Sequence, residues 1–323
     1  MKLYLSIIIV NWNVKHLICD CLNSIKTNLS DLQYEVIVVD NASSDGSVVT
    51  LSEHYPWVKL IINNLNCGFS RANNQGFKIS QGEYVLILNP DTLIKDKSIQ
   101  NMIMMFSLYS EVGIVGPRIV DQNGDIEFSC KRRHLNLVGL ILKRIMLEKI
   151  FVNLVTRFNF LKKIFYKKFY KTEVAECLSG ACMLVRRIDL EKVGYFDESV
   201  PMYLDDKDLC FRFWKVGYKN YFCSEAEIIH IGGASTKKTD NSKLFDVLVY
   251  QSIDIFFLKH GKYFNFLLHR ITLVLTSVFF LFIDIVLLVF IWNKKYVVSI
   301  ISKHLFTLKY CFCGKIKILR LDN

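Results

Sequence analysis

The stretch Tyr84-Val-Leu-Ile-Leu-Asn-Pro-Asp-Thr92 joins a short apolar run to a polar end. The apolar run is too short for a helix and predicts a strand that is buried on both faces. Pro90 cannot continue a central ladder, so the strand is expected to stop at Asn89. Asp91 then lies just beyond the carboxyl end of a buried strand, the position at which open α/β sheets bind their ligands.

Asp91 has two interpretations at this point. A carboxylate with Asn89 two residues earlier suits a hard divalent cation, Mg²⁺ or Mn²⁺, which is held by few protein oxygens and by substrate phosphates. An Asx-turn that ends the strand would contain the same residues. The stretch by itself leaves both interpretations open.

Three further predicted strands precede this one, at residues 3–10, 35–39 and 58–62, and helical patterns separate them. This alternation predicts an α/β fold with a parallel, doubly wound sheet. Right-handed crossovers would bring the polar strand ends to one edge of that sheet. The polar residues at those ends are Asn11, Asp40, Asn63, Asn64 and Asp91.

The same region disfavours two common nucleotide-binding folds. No GxGxxG pattern follows the first strand, which argues against a dinucleotide-binding fold, and the absence of GxxxxGK[ST] excludes a P-loop. Asp40 ends the second predicted strand instead, where a carboxylate can accept a hydrogen bond from the base or ribose of a nucleoside.

Four segments occur in an order that resembles one enzyme family: residues 8–13, 38–47, 66–74 and 88–92. Together they are similar to family 2 glycosyltransferases of the GT-A fold, particularly the bacterial rhamnosyltransferase-like branch. The resemblance covers roughly residues 3 to 236, apart from a basic insertion. It implies a mixed, mainly parallel GT-A sheet, a nucleotide-diphosphate sugar donor, rhamnose as the favoured sugar, and transfer with inversion.

The resemblance also assigns roles to single residues. Asp40 would contact the nucleobase, and Asn-Pro-Asp91 takes the place of the usual DxD metal motif. His230 matches the relatives' His-x-Gly-Gly segment at the metal–diphosphate site, so it is a predicted metal or phosphate ligand; a purely structural histidine is the alternative. The predicted nucleotide-binding residues are Asn11, Asp40, Asn66, Gly68, Asn74 and Asn89.

A second acidic cluster contains Asp205, Asp206 and Asp208. Like charges this close cannot all ionise freely, so one carboxyl is expected to have a raised pKa unless a cation intervenes, which suits a general base. An Asp-rich helix N-terminus would look the same. By resemblance to the family's Tyr-x-Glu-Asp-x-Asp, Asp206 is the predicted base for the acceptor hydroxyl, and Asp205 replaces the family's Glu. Asp205, Asp208 and Gly180 would support the acceptor side, although packing also explains Gly180.

The net charge of +11 comes from one segment, since residues 131–171 hold twelve Lys or Arg and one acid. The segment is also rich in Leu, Ile and Phe, which fits an anionic membrane surface better than a nucleic acid. Leu161, Phe165 and Phe169 recur at four-residue spacing beside lysines, so this end is predicted to lie flat on anionic lipid. A solvated surface insertion is the alternative.

Residues 271–292 form an apolar run whose only charge is Asp284 and whose length is sufficient to span a bilayer. Basic residues flank both ends, and such residues favour the cytosolic side. A re-entrant hairpin that turns near Asp284, or an interfacial helix, is therefore expected at the cytoplasmic face of the inner membrane. A single span and a buried helix of a soluble dimer are the alternatives.

These features predict a catalytic domain at residues 1–240, which contains the insertion 131–171, and a membrane-associating helical region at 241–323. The predicted activity is metal-dependent transfer to a lipid-linked or cell-surface glycan, such as a polyprenyl-diphosphate oligosaccharide or a lipopolysaccharide core. Two rival interpretations are a catalytically inactive membrane-bound scaffold and a basic nucleic-acid-binding protein. The ten cysteines are expected to be reduced thiols in a cytosolic setting.

Overall fold

A computed structural model describes residues 4–144, 157–201, 203–232, 242–290 and 294–313. The chain forms two compact units. The first, here called the sheet unit, contains residues Met1–His134, Asn159–Glu198 and Asp205–Thr239. The second, the helical unit, contains Leu135–Phe158, Ser199–Leu204 and Asp240–Asn323. The described residues 135–144 thus group with the C-terminal helices, whereas the sequence placed them within an insertion of the catalytic domain.

The sheet unit is built from short strands that are separated by helices. The strands are β1 (Tyr4–Asn11), β2 (Gln33–Asp40), β3 (Lys59–Ile62), β4 (Tyr84–Leu88), β5 (Thr92–Ile94), β6 (Val112–Val120), β7 (Lys131–Arg132), β8 (Glu173–Ala175), β9 (Cys177–Leu178), β10 (Cys182–Arg186) and β11 (Lys219–His230). The helices are α1 (Lys15–Asn28), α2 (Ser47–His54), α3 (Phe69–Ile79), α4 (Ser98–Leu108), α6 (Asn159–Tyr166), α7 (Arg187–Val193) and α8 (Asp205–Lys215), with a 3₁₀ turn at Lys167–Tyr170.

The main sheet is mixed, with the strand order β3-β2-β1-β4-β10-β6-β11-β5 and with β8 added beside β11. β1 to β4 pair in parallel, as their alternation with helices predicts. β10 then lies antiparallel between β4 and β6, which reverses the strand direction in the middle of the sheet. β7 and β9 form a separate antiparallel ribbon.

β4 is the buried centre of this sheet. Each of its residues is buried, and it pairs with β1 on one side and β10 on the other. It ends at Leu88, and the backbone N–H of Asn89 donates to the Ala181 carbonyl at 2.9 Å. The apolar residues of such a strand are each worth about 1.5–3 kcal/mol of hydrophobic stabilisation. The end of β4 therefore places Asp91 on a rigid support.

Part of the basic segment folds onto the sheet unit. Phe169 is only 1% exposed and joins the core beside Phe222, so the prediction that it lies on lipid is wrong. The helix ends at Tyr166 and tightens into a 3₁₀ turn, which redirects Phe169 away from the helical stripe. Lys131 donates to Glu173 at 2.6 Å and covers the Phe169 ring.

The helical unit contains α5 (Leu137–Arg144), α9 (Ser242–Lys259), α10 (Tyr263–Phe290) and α11 (Lys294–Cys313). α10 continues through Asp284 without a break, so the predicted re-entrant turn near that residue is wrong. Asp284 is buried and faces His304 of α11 at 3.4 Å. Among the described residues, α10 is the one helix whose length and composition would allow it to cross a membrane, over Tyr263–Val286.

Candidate functional site

The strand ends bring Asn11 and Asp40 together, as the parallel topology predicts. The two residues are register partners, and Asn11 Nδ2 donates to Asp40 Oδ1 at 2.7 Å. Asp40 Oδ2 accepts from the Ser43 backbone N–H at 2.8 Å, and the carboxylate is fully buried. Within the described structure the buried Asn11 Oδ1 has no hydrogen-bond partner. A buried acceptor of this kind is a group that a bound ligand can satisfy.

The loop before α3 places Asn66 and Gly68 at the same edge. Asn66 Oδ1 accepts from the Gly68 backbone N–H at 3.0 Å, and the Gly68 carbonyl accepts from Asn41. Gly68 has a φ of +84°, and a Cβ built on it would meet no atom within 4 Å. Its backbone is therefore open to a ligand, and glycine is favoured there by conformation.

The side chain of Asn74 is hydrogen-bonded to the segment before α8. Its amide donates to the Phe196 carbonyl and to Glu198, both at 2.9 Å, and accepts from the Phe196 N–H at 3.1 Å. Both ends of the side chain are thus used to hold the segment before α8. The described structure shows no free amide donor on Asn74 for a nucleotide, and its predicted nucleotide contact stays a prediction.

Asp91 and His230 meet where β4 ends and β11 ends. Asp91 Oδ1 lies 3.3 Å from His230 Nε2, and the Asp91 carbonyl accepts from the Ile231 N–H. On the other side of the ring, His230 Nδ1 lies 2.9 Å from Glu127 Oε1. Burial would lower the pKa of His230, but its hydrogen bonds to Asp91 and Glu127 outweigh burial and raise that pKa to about 10.

This pair has a donor set that fits a divalent cation. In the described part of the chain, no three or more His, Cys, Asp or Glu side chains form a ready metal site. Asp91 offers a carboxylate, and His230 would offer an imidazole nitrogen once a cation takes the place of the proton on Nε2; this set suits an ion whose remaining ligands come from a phosphate group. Glu127 holds the far ring nitrogen and orients Nε2 towards Asp91. Sequence reasoning missed Glu127, because its only local signal is one acid before the basic segment.

The three carboxylates that open α8 have different surroundings. Asp205 is buried and accepts a hydrogen bond from Ser70 Oγ. Burial, together with the nearby Asp206 and Asp208, raises the pKa of Asp205 to about 7. The prediction that one carboxyl of the cluster has a raised pKa is confirmed, and the group concerned is Asp205.

Asp206 lies against the turn that contains Gly180. Its Oδ2 accepts from the Gly180 N–H at 3.0 Å, and its Oδ1 accepts from the Lys207 N–H at 2.7 Å. A Cβ on Gly180 would lie 3.2 Å from the Asp206 Cβ, so the absence of a side chain allows this close approach. Arg132 also donates to Asp206 Oδ2. Sequence reasoning assigned Arg132 to the membrane-facing segment and missed it here.

Asp208 pairs with an arginine of its own helix. It is 2% exposed and accepts from Arg212 Nε at 2.7 Å, one turn further along α8. Arg212 in turn donates to the carbonyls of Val193, Gly194 and Tyr195. The pair therefore fastens α8 to the segment at the end of α7, and support of the acceptor side by Asp208 stays a prediction.

Comparisons with known proteins identify several similar glycosyltransferases. The chain is 28% identical over 229 residues to the N-acetylglucosaminyl-diphospho-decaprenol L-rhamnosyltransferase of Mycobacterium tuberculosis, covering 65% of this chain and 70% of that enzyme. It is 26% identical over 210 residues to the rhamnosyltransferase WbbL of Escherichia coli, covering 63% and 75%. The mannosyltransferase PcManGT from Pyrobaculum calidifontis, solved with GDP-Man and Mn²⁺, shares the fold with a TM-score of 0.55 at 16% identity, over 98% of this chain and 89% of that one.

The predicted GT-A fold is confirmed by this structural match. The family model for glycosyl transferase family 2 matches residues 6–194, which is more than half of the chain. The matched segment includes Asp40, Asp91 and Gly180, each of which contributes to the site described above. The chain therefore belongs to glycosyl transferase family 2.

Proposed function

We propose that this glycosyltransferase moves a sugar, with rhamnose as the favoured one, from a nucleotide-diphosphate donor to a lipid-linked or cell-surface glycan, with inversion at the anomeric carbon. The observation that carries the proposal is that one unit holds both an Asp91–His230 pair and an Asp206 carboxylate at a glycine turn. The first suits a diphosphate and the second an acceptor hydroxyl. The rhamnosyltransferases among the relatives support the choice of sugar, and the diphospho-decaprenol in one of their names supports a lipid-linked acceptor.

The proposed reaction needs one side-chain base. Asp206 takes the proton from the acceptor hydroxyl while that oxygen bonds to the anomeric carbon. The bond from this carbon to the diphosphate oxygen breaks on the opposite face, and the nucleoside diphosphate leaves with the electron pair. No covalent enzyme intermediate forms. Gly180 keeps the base in place, and Asp205 supports it from the preceding position of α8.

The donor side has its own set of residues. Asp91 and His230 would hold Mg²⁺ or Mn²⁺, which neutralises the charge of the departing diphosphate when it is bound. Asp40, oriented by Asn11, would receive the base or ribose of the nucleoside. The backbone at Asn66 and Gly68 and the half-buried side chain of Asn89 complete the proposed nucleotide contacts; these residues are at the same edge of the sheet.

Heat stabilisation by a panel of nucleotide sugars tests this proposal. A ligand at one hundred times its Kd adds about 2.7 kcal/mol of stability, which raises the Tm by roughly 5–10 °C for a domain of this size. Nucleotide-activated rhamnose is expected to give the largest shift, and only when Mg²⁺ or Mn²⁺ is present. Transfer to a polyprenyl-diphosphate sugar should follow. Equal shifts from all nucleotides without metal, and no transfer, would contradict the proposal.

Membrane attachment through α10 at the cytoplasmic face is a further part of the proposal. Its exposed apolar residues recur every three or four positions along one face: Phe264, Leu267, Ile271, Leu275, Val278, Phe282 and Ile285. This stripe is about 32 Å long at 1.5 Å per residue, close to the thickness of a bilayer's hydrocarbon core. His269, Ser277 and Asp284 are buried on the other side. Apolar residues outside and polar residues inside are typical of a helix in lipid.

The substitution Leu275→Lys tests this attachment. Lysine at the middle of a membrane helix costs about 2.5–3.5 kcal/mol, so binding to vesicles with anionic lipid should fall by roughly two orders of magnitude. Flotation of the protein with vesicles measures the change. Val49→Lys, at an exposed position of α2, is the matched control and should float like the unchanged protein. Release of the unchanged protein by high salt without detergent would argue against insertion.

A further inference from the structure

Each carboxylate in the first turn of α8 has its own side-chain partner. Asp205 has the Ser70 hydroxyl, and Asp208 has the Arg212 guanidinium of its own helix. Asp206 instead receives a guanidinium from outside the helix, that of Arg132. Because Asp205 and Asp208 are buried neighbours of like sign, a cation beside Asp206 offsets their repulsion. Arg132 is the group that supplies it.

The ribbon of β7 and β9 explains how Arg132 reaches this position. Arg132 is the register partner of Cys177, two residues before the turn that contains Gly180. Its Nη2 donates to the Leu178 carbonyl at 3.1 Å and also to Asp206 Oδ2. A guanidinium that also donates to a backbone carbonyl is held in one orientation, so the Arg132–Asp206 ion pair is a fixed part of the structure beside the Gly180 turn.

The bonds around Asp206 also select one of its oxygens. Oδ2 receives Arg132 and the Gly180 N–H, whereas Oδ1 receives the N–H of the next residue, Lys207. Oδ1 is therefore the oxygen with capacity left to face a hydroxyl group. In the described structure the buried Nε of Arg132 has no hydrogen-bond partner. It is a donor that an oxygen of an acceptor sugar could use.

We propose that Arg132 is a positioning residue for the base: it fixes Oδ2 of Asp206 and thereby presents Oδ1 to the acceptor hydroxyl. The inference rests on the proposed function, because it assigns Asp206 to the transfer step. It goes further by giving the start of the basic segment a part in the site, where the charge pattern indicated only a membrane contact.

The variants Arg132→Met and Arg132→Lys test this role. A base displaced by about 1 Å loses roughly 10²-fold in rate, so Arg132→Met should lower kcat by about that factor while donor-dependent heat stabilisation stays unchanged. Arg132→Lys keeps the charge but not the forked geometry, and it should lose about tenfold. Added guanidinium ion should restore part of the activity of Arg132→Met, which a merely structural loss would not allow. Arg133→Met, at the exposed neighbouring position, is the matched control.

Two results would overturn the inference. One is wild-type kcat in both Arg132 variants while Asp206→Asn is inactive. The other is a loss of kcat that guanidinium does not restore and that follows a fall in Tm. If Arg132→Met does not fold, the Arg132→Lys variant decides by its kcat. Failure of the proposed function is distinct, because then the unchanged protein itself transfers no sugar.

Discussion

Replacing Asp206 by Asn is expected to lower kcat for sugar transfer by about 10²–10⁴-fold. The amide has nearly the same shape as the carboxylate and can still accept from the Gly180 N–H, but it cannot take the proton of the acceptor hydroxyl. The measurement is the rate of transfer at saturating donor and acceptor. Donor binding should survive, since Asp91 and Asp40 are untouched.

The control for this experiment is Asp31→Asn, an exposed position in the turn after α1. It should have the kcat of the unchanged protein. Heat stabilisation by the donor with metal shows that the Asp206→Asn protein is folded and loaded. Full transfer activity in a variant with normal donor and metal binding would remove Asp206 from the role of base.

Replacing Asp91 by Asn is expected to abolish the metal-dependent part of heat stabilisation by the donor. The substitution takes the carboxylate from the Asp91–His230 pair and leaves one imidazole, which is too few ligands for a hard cation beside a diphosphate. The kcat should also fall, by roughly 10²–10³-fold, because charge on the leaving group is no longer neutralised. Unfolding curves with the donor, with and without Mn²⁺, measure the first effect.

A chelator gives an independent form of the same experiment. It should remove the donor-dependent shift from the unchanged protein and do nothing further to Asp91→Asn. Asp96→Asn, an exposed aspartate shortly after β5, is the matched control and should keep the full shift. If Asp91→Asn still responds to Mn²⁺ like the unchanged protein, the cation is not held at the end of β4.

Local pattern was sufficient to predict the first half of the sheet. β1 and β2 are apolar runs that end in a polar residue, β4 is an apolar run followed by one, and the helices between them force parallel pairing. The same logic brought Asn11 and Asp40 to one edge. The position of Asp91 followed because Pro90 limits how far β4 can extend.

The sequence could not predict residues whose role depends on a distant partner. Arg132 reaches the site because β7 pairs with β9, and Glu127 reaches it through its contact with His230 at the end of β11. Neither contact leaves a periodic signal in the sequence. Asn74 and Asp208 have the residue types of a binding site but are occupied by Phe196 and Arg212. Residue type shows what a side chain can bind, whereas the fold decides whether that capacity is already used.

The buried carboxyl of Asp205 lowers the free energy of unfolding when it is ionised. Its pKa rises from an ordinary value of 3.8 to about 7, so the folded state binds more protons than the unfolded chain between those two values. Its stabilising contribution is therefore complete in acid and is lost as the pH rises from about 4 to about 7. Above a pH of about 7, the charged Asp205 carboxylate beside the base therefore weakens the fold. The substitution Asp205→Asn would remove this buried charge and make the fold more thermostable, but it would also change the charge next to the base.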